Sequence, residues 1–427
     1  MINQIQDLTL YPGVELHLVK SNKFKTVLFG IYMKRPLTRD EVSLNALLSR
    51  VIDQATYKFN DTQEISKELD MMYGSVIVTD VHKYGERQML QLKMQTPSEK
   101  YVDSKNLYES AIQLISDFLT RPKLINGAFD EEIISLEKEA LIAEIQARRD
   151  HKDEWVITTC VESMCSEEPF MIHEFGYVED VKKITAVDLA MQLERVVSTS
   201  EIDICVIGDF EIEPMAKLIK ENMILNRKEV TVVPRERIYF RPESVKTVIE
   251  KHNITQGKLC LGLRTNMSFD APNYQSLMIG NIMLGGGGSS KLFRNVREKA
   301  GMCYSIYSRI EKFKSLLMIY AGIDMNRFDE AEALIMKEVN DIKNGNFSDV
   351  EFETAKTSLI SNLRSISDYP NSFINYYYGI LQTTGDFDIE KRIEEAKQIS
   401  RESVIEAFQG IQLDTIARLV GEAEDGN

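Results

Sequence analysis

The sequence predicts an α+β protein made of two similar halves in tandem. Its 427 residues are more than one domain usually holds and suffice for two large ones. In each half, short apolar runs typical of strands alternate with longer stretches that have the period of amphipathic helices. Three stretches of the first half also resemble stretches of the second half in the same order, which indicates an internal duplication.

The elements of the first half follow from the spacing of its apolar residues. Half-buried strands are predicted at 14–20, 25–32, 75–80, 88–95 and 202–208. A helix is predicted over 62–72, and Tyr73-Gly74 supplies the glycine that ends it. From Asn106 to about Val197 the apolar period is mostly helical. The first half is therefore expected to begin with strands, continue with helices and close on a strand.

The second half repeats this plan. Strands are predicted at 258–264, 303–310, 315–323 and 415–420, and helices at about 272–284 and 290–299. The similar stretches are 65–78 with 290–306, 129–145 with 347–363, and 180–208 with 395–421. In the last pair, a Thr or a Ser caps a helix that leads into the final strand of its half.

The boundary between the halves is predicted from polar and proline residues. Asn226 to Glu229 is polar, and the segment from Pro234 to Pro242 carries proline at both ends. We therefore predict one domain over 1–225, a linker over 226–244 and a second domain over 245–427.

Composition excludes several classes of function. The net charge is −15 and no basic stripe occurs, which argues against a nucleic-acid-binding protein. The five cysteines are odd in number and include no C-x-x-C pair, as expected for reduced thiols in the cytoplasm. The start, M-I-N-Q-I-Q-D-L-T-L-Y-P-G, has neither the basic nor the apolar segment of a secretory signal. No run approaches the ~18 apolar residues of a membrane span, so we predict a cytoplasmic protein that does not bind membranes.

A glycine-rich block stands out in the second half. Residues 285–299 read G-G-G-G-S-S-K-L-F-R-N-V-R-E-K. A phosphate-binding loop is excluded, because Ser290 rather than Gly precedes Lys291 and Leu292 follows it. Four glycines expose backbone N–H groups at little steric cost, which suits close approach by a peptide or an anion. A flexible loop that leads into a helix explains the same pattern, and both interpretations stay open.

The block from Leu284 to Ser308 resembles the C-terminal-domain signature of the insulinase/pitrilysin family of zinc peptidases, the inverted zincins, which include the mitochondrial processing peptidases. The resemblance implies two tandem homologous domains, each a mainly antiparallel sheet packed by helices, facing each other across a chamber. It implies that Gly285, Gly286, Gly287, Gly288, Arg297 and Tyr304 bind the peptide substrate. An Arg can fork two bonds onto a carbonyl or carboxylate, and a Tyr hydroxyl can donate to an oxyanion. Alternatively, Arg297 is a helix-surface charge and Tyr304 a packed strand residue.

The family's zinc motif, H-x-x-E-H, is absent from its expected place. Alignment on Ala55-Thr56 puts the motif at 46–50, where Ala46 and Arg50 replace the two histidines and Ser49 replaces the general base. Ala46 has no donor atom, Arg50 is a permanent cation, and Ser49 is no base at neutral pH. By the same resemblance, Glu144 matches the third zinc ligand and Glu137 its supporting carboxylate. The alternative interpretation is that both are ordinary glutamates on the surface of a helix. We expect no bound metal and no catalytic residue within this chain.

The resemblance implies a role beside an active enzyme. Some family members work as pairs in which one subunit holds zinc and the other does not. We expect this chain to be the zinc-free subunit of a bacterial-type pair, binding peptide and completing the active site of a zinc-bearing homologous partner; a homodimer of the isolated chain stays open. The alternative is a scaffold protein without any role in proteolysis. A third possibility is a peptidase with an unfamiliar metal site, although no two of the five histidines are spaced i, i+4.

Overall fold

A computed structural model describes residues 2–383, 385 and 387–422. Met1, Thr384, Asp386 and residues 423–427, which the predicted domains include, lie outside the described residues. The strands are β1 (Ile2–Tyr11), β2 (Val14–Ser21), β3 (Thr26–Pro36), β4 (Val76–Tyr84), β5 (Arg87–Pro97), β6 (Glu201–Gly208), β7 (Lys246–His252), β8 (Gly257–Arg264), β9 (Cys303–Glu311), β10 (Leu316–Ile323) and β11 (Gln412–Gly421).

The α-helices are α1 (Arg39–Val51), α2 (Thr62–Met71), α3 (Leu107–Thr120), α4 (Glu131–Ala147), α5 (Lys152–Met164), α6 (Val178–Val181), α7 (Ala186–Thr199), α8 (Ile212–Asn222), α9 (Tyr274–Gly285), α10 (Phe328–Lys343), α11 (Asp349–Ser365), α12 (Pro370–Leu381), α13 (Ile389–Gln398) and α14 (Arg401–Gln409). A π-helix spans Leu292–Lys299. Within the described part of the chain, no helix combines the length and the apolar run that crossing a membrane requires.

The two sheets have the same topology, apart from one added strand. The first sheet has the order β1-β2-β6-β3-β5-β4 and the second the order β7-β11-β8-β10-β9. From β2 to β4 the pairings are parallel and then three times antiparallel, and from β7 to β9 they follow the same pattern. The second sheet therefore repeats the first without β1, as the predicted duplication requires.

The chain forms two compact units, and each unit draws on both halves of the sequence. The first unit comprises the described residues of Met1–Gln146, Ile172–Arg235 and Ser367–Gly379. The second unit comprises those of Ala147–Met171, Glu236–Ile366 and Ile380–Asn427. The two units are defined by which residues pack together, whereas the predicted domains are the two repeats of the sequence. The units therefore do not test the predicted domain boundaries, which stay a prediction.

One helix from each half packs on the sheet formed mainly by the other half. In the second unit, Val156, Ile157 and Cys160 of α5 share an apolar core with Cys260 and Leu419 of the sheet. In the first unit, Tyr378 of α12 stacks on Tyr32 of β3 with the ring centroids 3.9 Å apart. Buried apolar and aromatic side chains therefore hold both helices.

The predicted fold class is confirmed, and so are nine strands with small shifts at their ends. Strands β1 and β7 and helix α8 were not predicted. Both strands lie at a sheet edge, and the exposed and half-buried pattern of β7 gave no apolar run to detect. The predicted helix at 290–299 is a π-helix over Leu292–Lys299 rather than an α-helix.

Candidate functional site

Helix α1 carries Ala46, Ser49 and Arg50, the three residues predicted to replace the zinc motif. It begins after Thr38, and Asp40 and Glu41 in its first turn suit the positive end of the helix dipole. Its apolar residues recur at helical spacing and pack into the core of the first unit, with Val42 and Leu47 fully buried. This packing fixes the rotation of the helix and so decides where residues 46, 49 and 50 point.

Ala46 and Ser49 are buried and supply neither a metal ligand nor a base. Ala46 is 1% exposed and belongs to the apolar core. Ser49 is also buried, and its hydroxyl donates to the carbonyl oxygen of Ala46 over 2.9 Å. A methyl group and a hydroxyl bonded within its own helix offer neither a metal ligand nor a base.

Arg50 bridges α1 to α4. Its Nε lies 3.0 Å from Oε2 of Glu137, and its Nη1 lies 2.8 Å from Oε2 of Glu144. The two glutamates are spaced i, i+7 and therefore share one face of α4. The structure thus brings together three residues that the sequence singled out separately, and one guanidinium engages both carboxylates.

Asp53 adds a third carboxylate beside this cluster. It accepts a hydrogen bond from the hydroxyl of Thr79 over 3.0 Å. Burial raises the pKa of Asp53; the hydrogen bond from Thr79 opposes the rise, and the charge of Glu137 adds to it. Sequence reasoning missed Asp53, although its place one turn beyond Arg50 was the available signal.

The zinc of the resembled family does not fit these residues. A catalytic zinc site needs three protein ligands, and here a permanent cation holds the two carboxylates that would have to contribute. Throughout the residues that the structure describes, no group of three or more His, Cys, Asp or Glu side chains could hold a metal ion.

The glycine-rich loop divides into one packed and three exposed positions. Gly285 ends α9 and is buried against β9, where a Cβ would lie 2.5 Å from the backbone nitrogen of Ser308. Gly286, Gly287 and Gly288 are exposed, and a Cβ on Gly287 would meet nothing within 4 Å. Gly287 has φ +147°, a backbone conformation rare for other residues. The loop therefore presents bare backbone to solvent.

Arg297 and Tyr304 lie together beside this loop. The guanidinium carbon of Arg297 is 4.5 Å from the ring centroid of Phe293 and 5.7 Å from that of Tyr304. Residues four apart on a helix are neighbours on its surface, as Phe293 and Arg297 are in this π-helix. Tyr304 is 78% exposed at the start of the edge strand β9, so its hydroxyl is open to a ligand.

A buried polar network supports the π-helix. The Lys291 ammonium donates to the carbonyl oxygen of Asn346 over 3.2 Å and lies 3.4 Å from the Glu338 carboxylate. Glu338 is 2% exposed and also accepts a bond from the Asn295 amide over 2.9 Å. These contacts anchor the π-helix to α10 and so position Arg297.

The block contains no activated nucleophile. Burial raises the pKa of Cys303 to about 11, although the charge of Arg297 opposes the rise. The thiol is therefore protonated at neutral pH and unreactive. The arrangement can bind a peptide or stabilise negative charge, but it cannot by itself start a hydrolysis.

Comparison with known proteins agrees with this picture. A family model described as the peptidase M16 inactive domain matches residues 183–359. A probable inactive metalloprotease, YmfF of Bacillus subtilis, is similar at 31% identity over 412 residues, 96% of each chain. A conserved protein from Enterococcus faecalis V583 has a similar crystal structure, with a TM-score of 0.91 at 23% identity, covering 99% of this chain and 100% of that one. The peptidase M16 inactive domain from Pseudomonas fluorescens has a TM-score of 0.81 at 14% identity, with the same coverage.

The two solved structures show the fold, and the relative from Bacillus subtilis shows the family, since its similarity extends over nearly the whole chain. The degenerate motif on α1 agrees with the word inactive in the name of that relative. This chain belongs to the peptidase M16 family, the insulinase/pitrilysin family, as an inactive-type homologue of its zinc peptidases.

Proposed function

We propose that this chain is the zinc-free subunit of a zinc peptidase pair in the cytoplasm. It binds the peptide substrate and adds Arg297 and Tyr304 to the active site of a zinc-bearing homologue, which performs the hydrolysis. The chain itself supplies no metal and no general base.

The observation that carries this proposal is the contrast between the two motifs of one chain. On α1 the catalytic positions hold Ala46, Ser49 and an ion-paired Arg50. In the second unit, Tyr304 is exposed and Arg297 lies against its ring. The π-helix that carries Arg297 is anchored by the hydrogen bond from Asn295 to the buried Glu338. An exposed Tyr hydroxyl and an Arg that forms no ion pair among the described residues leave hydrogen-bond donors available to a peptide.

The substrate we propose is an unfolded peptide that adds to a sheet edge. Strands β4 and β9 are the corresponding edge strands of the two sheets, and among the described residues each pairs with one neighbouring strand only. Tyr304 lies on β9, and Val76 and Val78 of β4 are exposed. Main-chain hydrogen bonds to such an edge bind many sequences with one geometry.

The test is reconstitution. The isolated chain, and the chain mixed with a zinc-bearing M16 homologue from the same genome, are assayed on a panel of unfolded peptides. We expect cleavage only from the mixture, together with a heterodimer in analytical ultracentrifugation. Chelator-sensitive cleavage by the isolated chain would refute the proposal.

Matched variants separate a role in proteolysis from a scaffold role. Arg297→Ala and Tyr304→Phe are expected to slow the mixture without loss of heterodimer. Arg309→Ala is the control, because Arg309 lies on the same strand and is half exposed, 3.6 Å from Glu154. Equal rates for all three variants would instead favour the alternative function, a structural subunit with no part in proteolysis.

A further inference from the structure

The degenerate motif on α1 is more than a loss of ligands, because it brings in a charge of its own. We propose that the Arg50 guanidinium is a built-in cation that joins α1 to α4 in place of a metal ion, so that the first unit neither needs nor accepts a divalent cation at this place. This inference does not depend on the proposed partner, and failure to find a peptidase pair would leave it intact.

The charges around Arg50 support this role. Glu137 and Glu144 lie on one face of α4, and Asp53 lies close enough to Glu137 for the two charges to interact. Without a cation, these carboxylates would repel one another across a partly buried surface. Arg50 lies 3.0 Å from Glu137 and 2.8 Å from Glu144 and removes most of this repulsion.

The shape of the guanidinium also matters. Nε and Nη1 lie on different edges of a planar fork, and each reaches a separate carboxylate two helical turns apart on α4. A lysine ammonium is a single point and would favour one of the two. An arginine is thus the side chain best suited to replace an ion that bridges two ligands.

The position of the cluster explains why it can tie the helices together. Arg50 belongs to the last turn of α1, where its neighbours Leu47 and Val51 are fixed in the core. Helix α4 contributes few buried residues, with Ile134 and Leu141 as its apolar anchors. The two glutamates that Arg50 engages lie within one turn of these anchors on the same side of the helix. The ionic contact therefore adds a second kind of attachment beside the apolar packing of α4.

The first experiment removes the charge of Arg50 and then, in a second variant, also the charges of the two glutamates that would repel one another without it. Arg50→Ala is expected to lower the thermal unfolding midpoint by about 2–4 °C and to speed amide hydrogen exchange in α1 and α4. Arg50→Ala combined with Glu137→Gln and Glu144→Gln is expected to regain most of the loss, because the uncompensated charges are gone. An unchanged midpoint and exchange rate in Arg50→Ala, or a triple variant less stable than the single one, would overturn the proposal.

The second experiment tests independence from metal. The wild-type chain, purified without chelator, is analysed for zinc, and its unfolding midpoint is measured with zinc sulfate and with EDTA. We expect no zinc above that of a metal-free control protein and the same midpoint in both solutions. Zinc bound in stoichiometric amount, or a midpoint that falls in EDTA, would show that a metal and not Arg50 joins the helices.

Discussion

Arg50 in the first unit and Arg297 in the second are both predicted to occupy motif positions of the family, yet their surroundings are opposite. Arg50 is held by two carboxylates within 3.0 Å. Arg297 lies over the rings of Phe293 and Tyr304, and within the described residues it forms no ion pair. A guanidinium that already donates hydrogen bonds to two carboxylates has few N–H donors left for a ligand. A guanidinium that lies on aromatic rings keeps its N–H donors available to a ligand.

The difference teaches that two arginines of one chain can differ widely in what they leave available to a ligand. In the first unit, Arg50 forms an internal contact with Glu137 and Glu144. In the second unit, Arg297 lies on a π-helix that is anchored to α10. The contacts of Lys291 and Asn295 with the buried Glu338 form this anchor. The variants below test this contrast, beginning with the support itself.

The largest effect is expected from removal of the buried support of Arg297. Glu338→Ala takes the nearest carboxylate away from the buried Lys291 ammonium and leaves the Asn295 amide without its partner. We expect a loss of about 3 kcal/mol in the free energy of unfolding, measured by urea titration.

The control for this variant is Glu353→Ala on α11, because Glu353 is exposed. It should change the free energy by less than about 0.5 kcal/mol. Should both variants prove equally mild, the network would not be what holds Arg297 in position.

The next effect concerns catalysis by the proposed pair. Tyr304→Phe removes one hydroxyl donor and is expected to lower kcat/KM of the pair about 100-fold, the effect of one lost oxyanion donor. The unfolding midpoint should stay the same, because the side chain is 78% exposed.

Tyr101→Phe, at another exposed tyrosine, serves as its control and should leave the rate unchanged. An equal loss in both variants would point to a general surface effect and remove Tyr304 from the mechanism.

A smaller effect sharpens the comparison within the first unit, where the buried His17 imidazole lies between two carboxylates. His17 Nδ1 is 2.8 Å from Asp7 and Nε2 is 3.3 Å from Asp203, and the Tyr377 hydroxyl also donates to Asp7. Burial lowers the pKa of His17, but the hydrogen bonds and charges of Asp203 and Asp7 outweigh it and raise the pKa overall.

Because the folded pKa exceeds the unfolded value of about 6.5, the contribution of His17 is complete below that pH and is lost as pH rises through the folded pKa. The wild type should therefore have a higher free energy of unfolding than His17→Gln up to pH ~6.5. This difference should decline as the pH rises from there through the folded pKa of His17. The exposed His151→Gln should parallel wild type. A wild-type advantage that grows with rising pH would contradict this assignment.

The smallest effect is expected from Arg50→Lys. The ammonium keeps the charge but loses the fork, so it should pair well with only one of Glu137 and Glu144. The pair is partly exposed, so we expect a loss of about 0.5 kcal/mol in the free energy of unfolding. Stability equal to that of Arg50→Ala would show that geometry rather than charge is decisive.

Much of the fold could be predicted because its signals are local. The apolar run of β10 and the alternating apolar residues of other strands are visible without any neighbour. The glycine end of α2 and the capping boxes of α7 and α11 mark helix ends in the same way. Strands β1 and β7 escaped detection because their apolar residues form neither a continuous run nor a regular alternation.

The sequence by itself determined that positions 46, 49 and 50 carry no zinc ligand, because a methyl group, a hydroxyl and a guanidinium have their chemistry wherever they lie. Only the tertiary structure decided which groups the Arg50 guanidinium engages. Glu137 and Glu144 are 87 and 94 positions from Arg50 along the chain, and packing of α1 and α4 in one unit brings them within hydrogen-bond distance. An ion pair depends on the separation of charges in space, which spacing along the sequence does not specify.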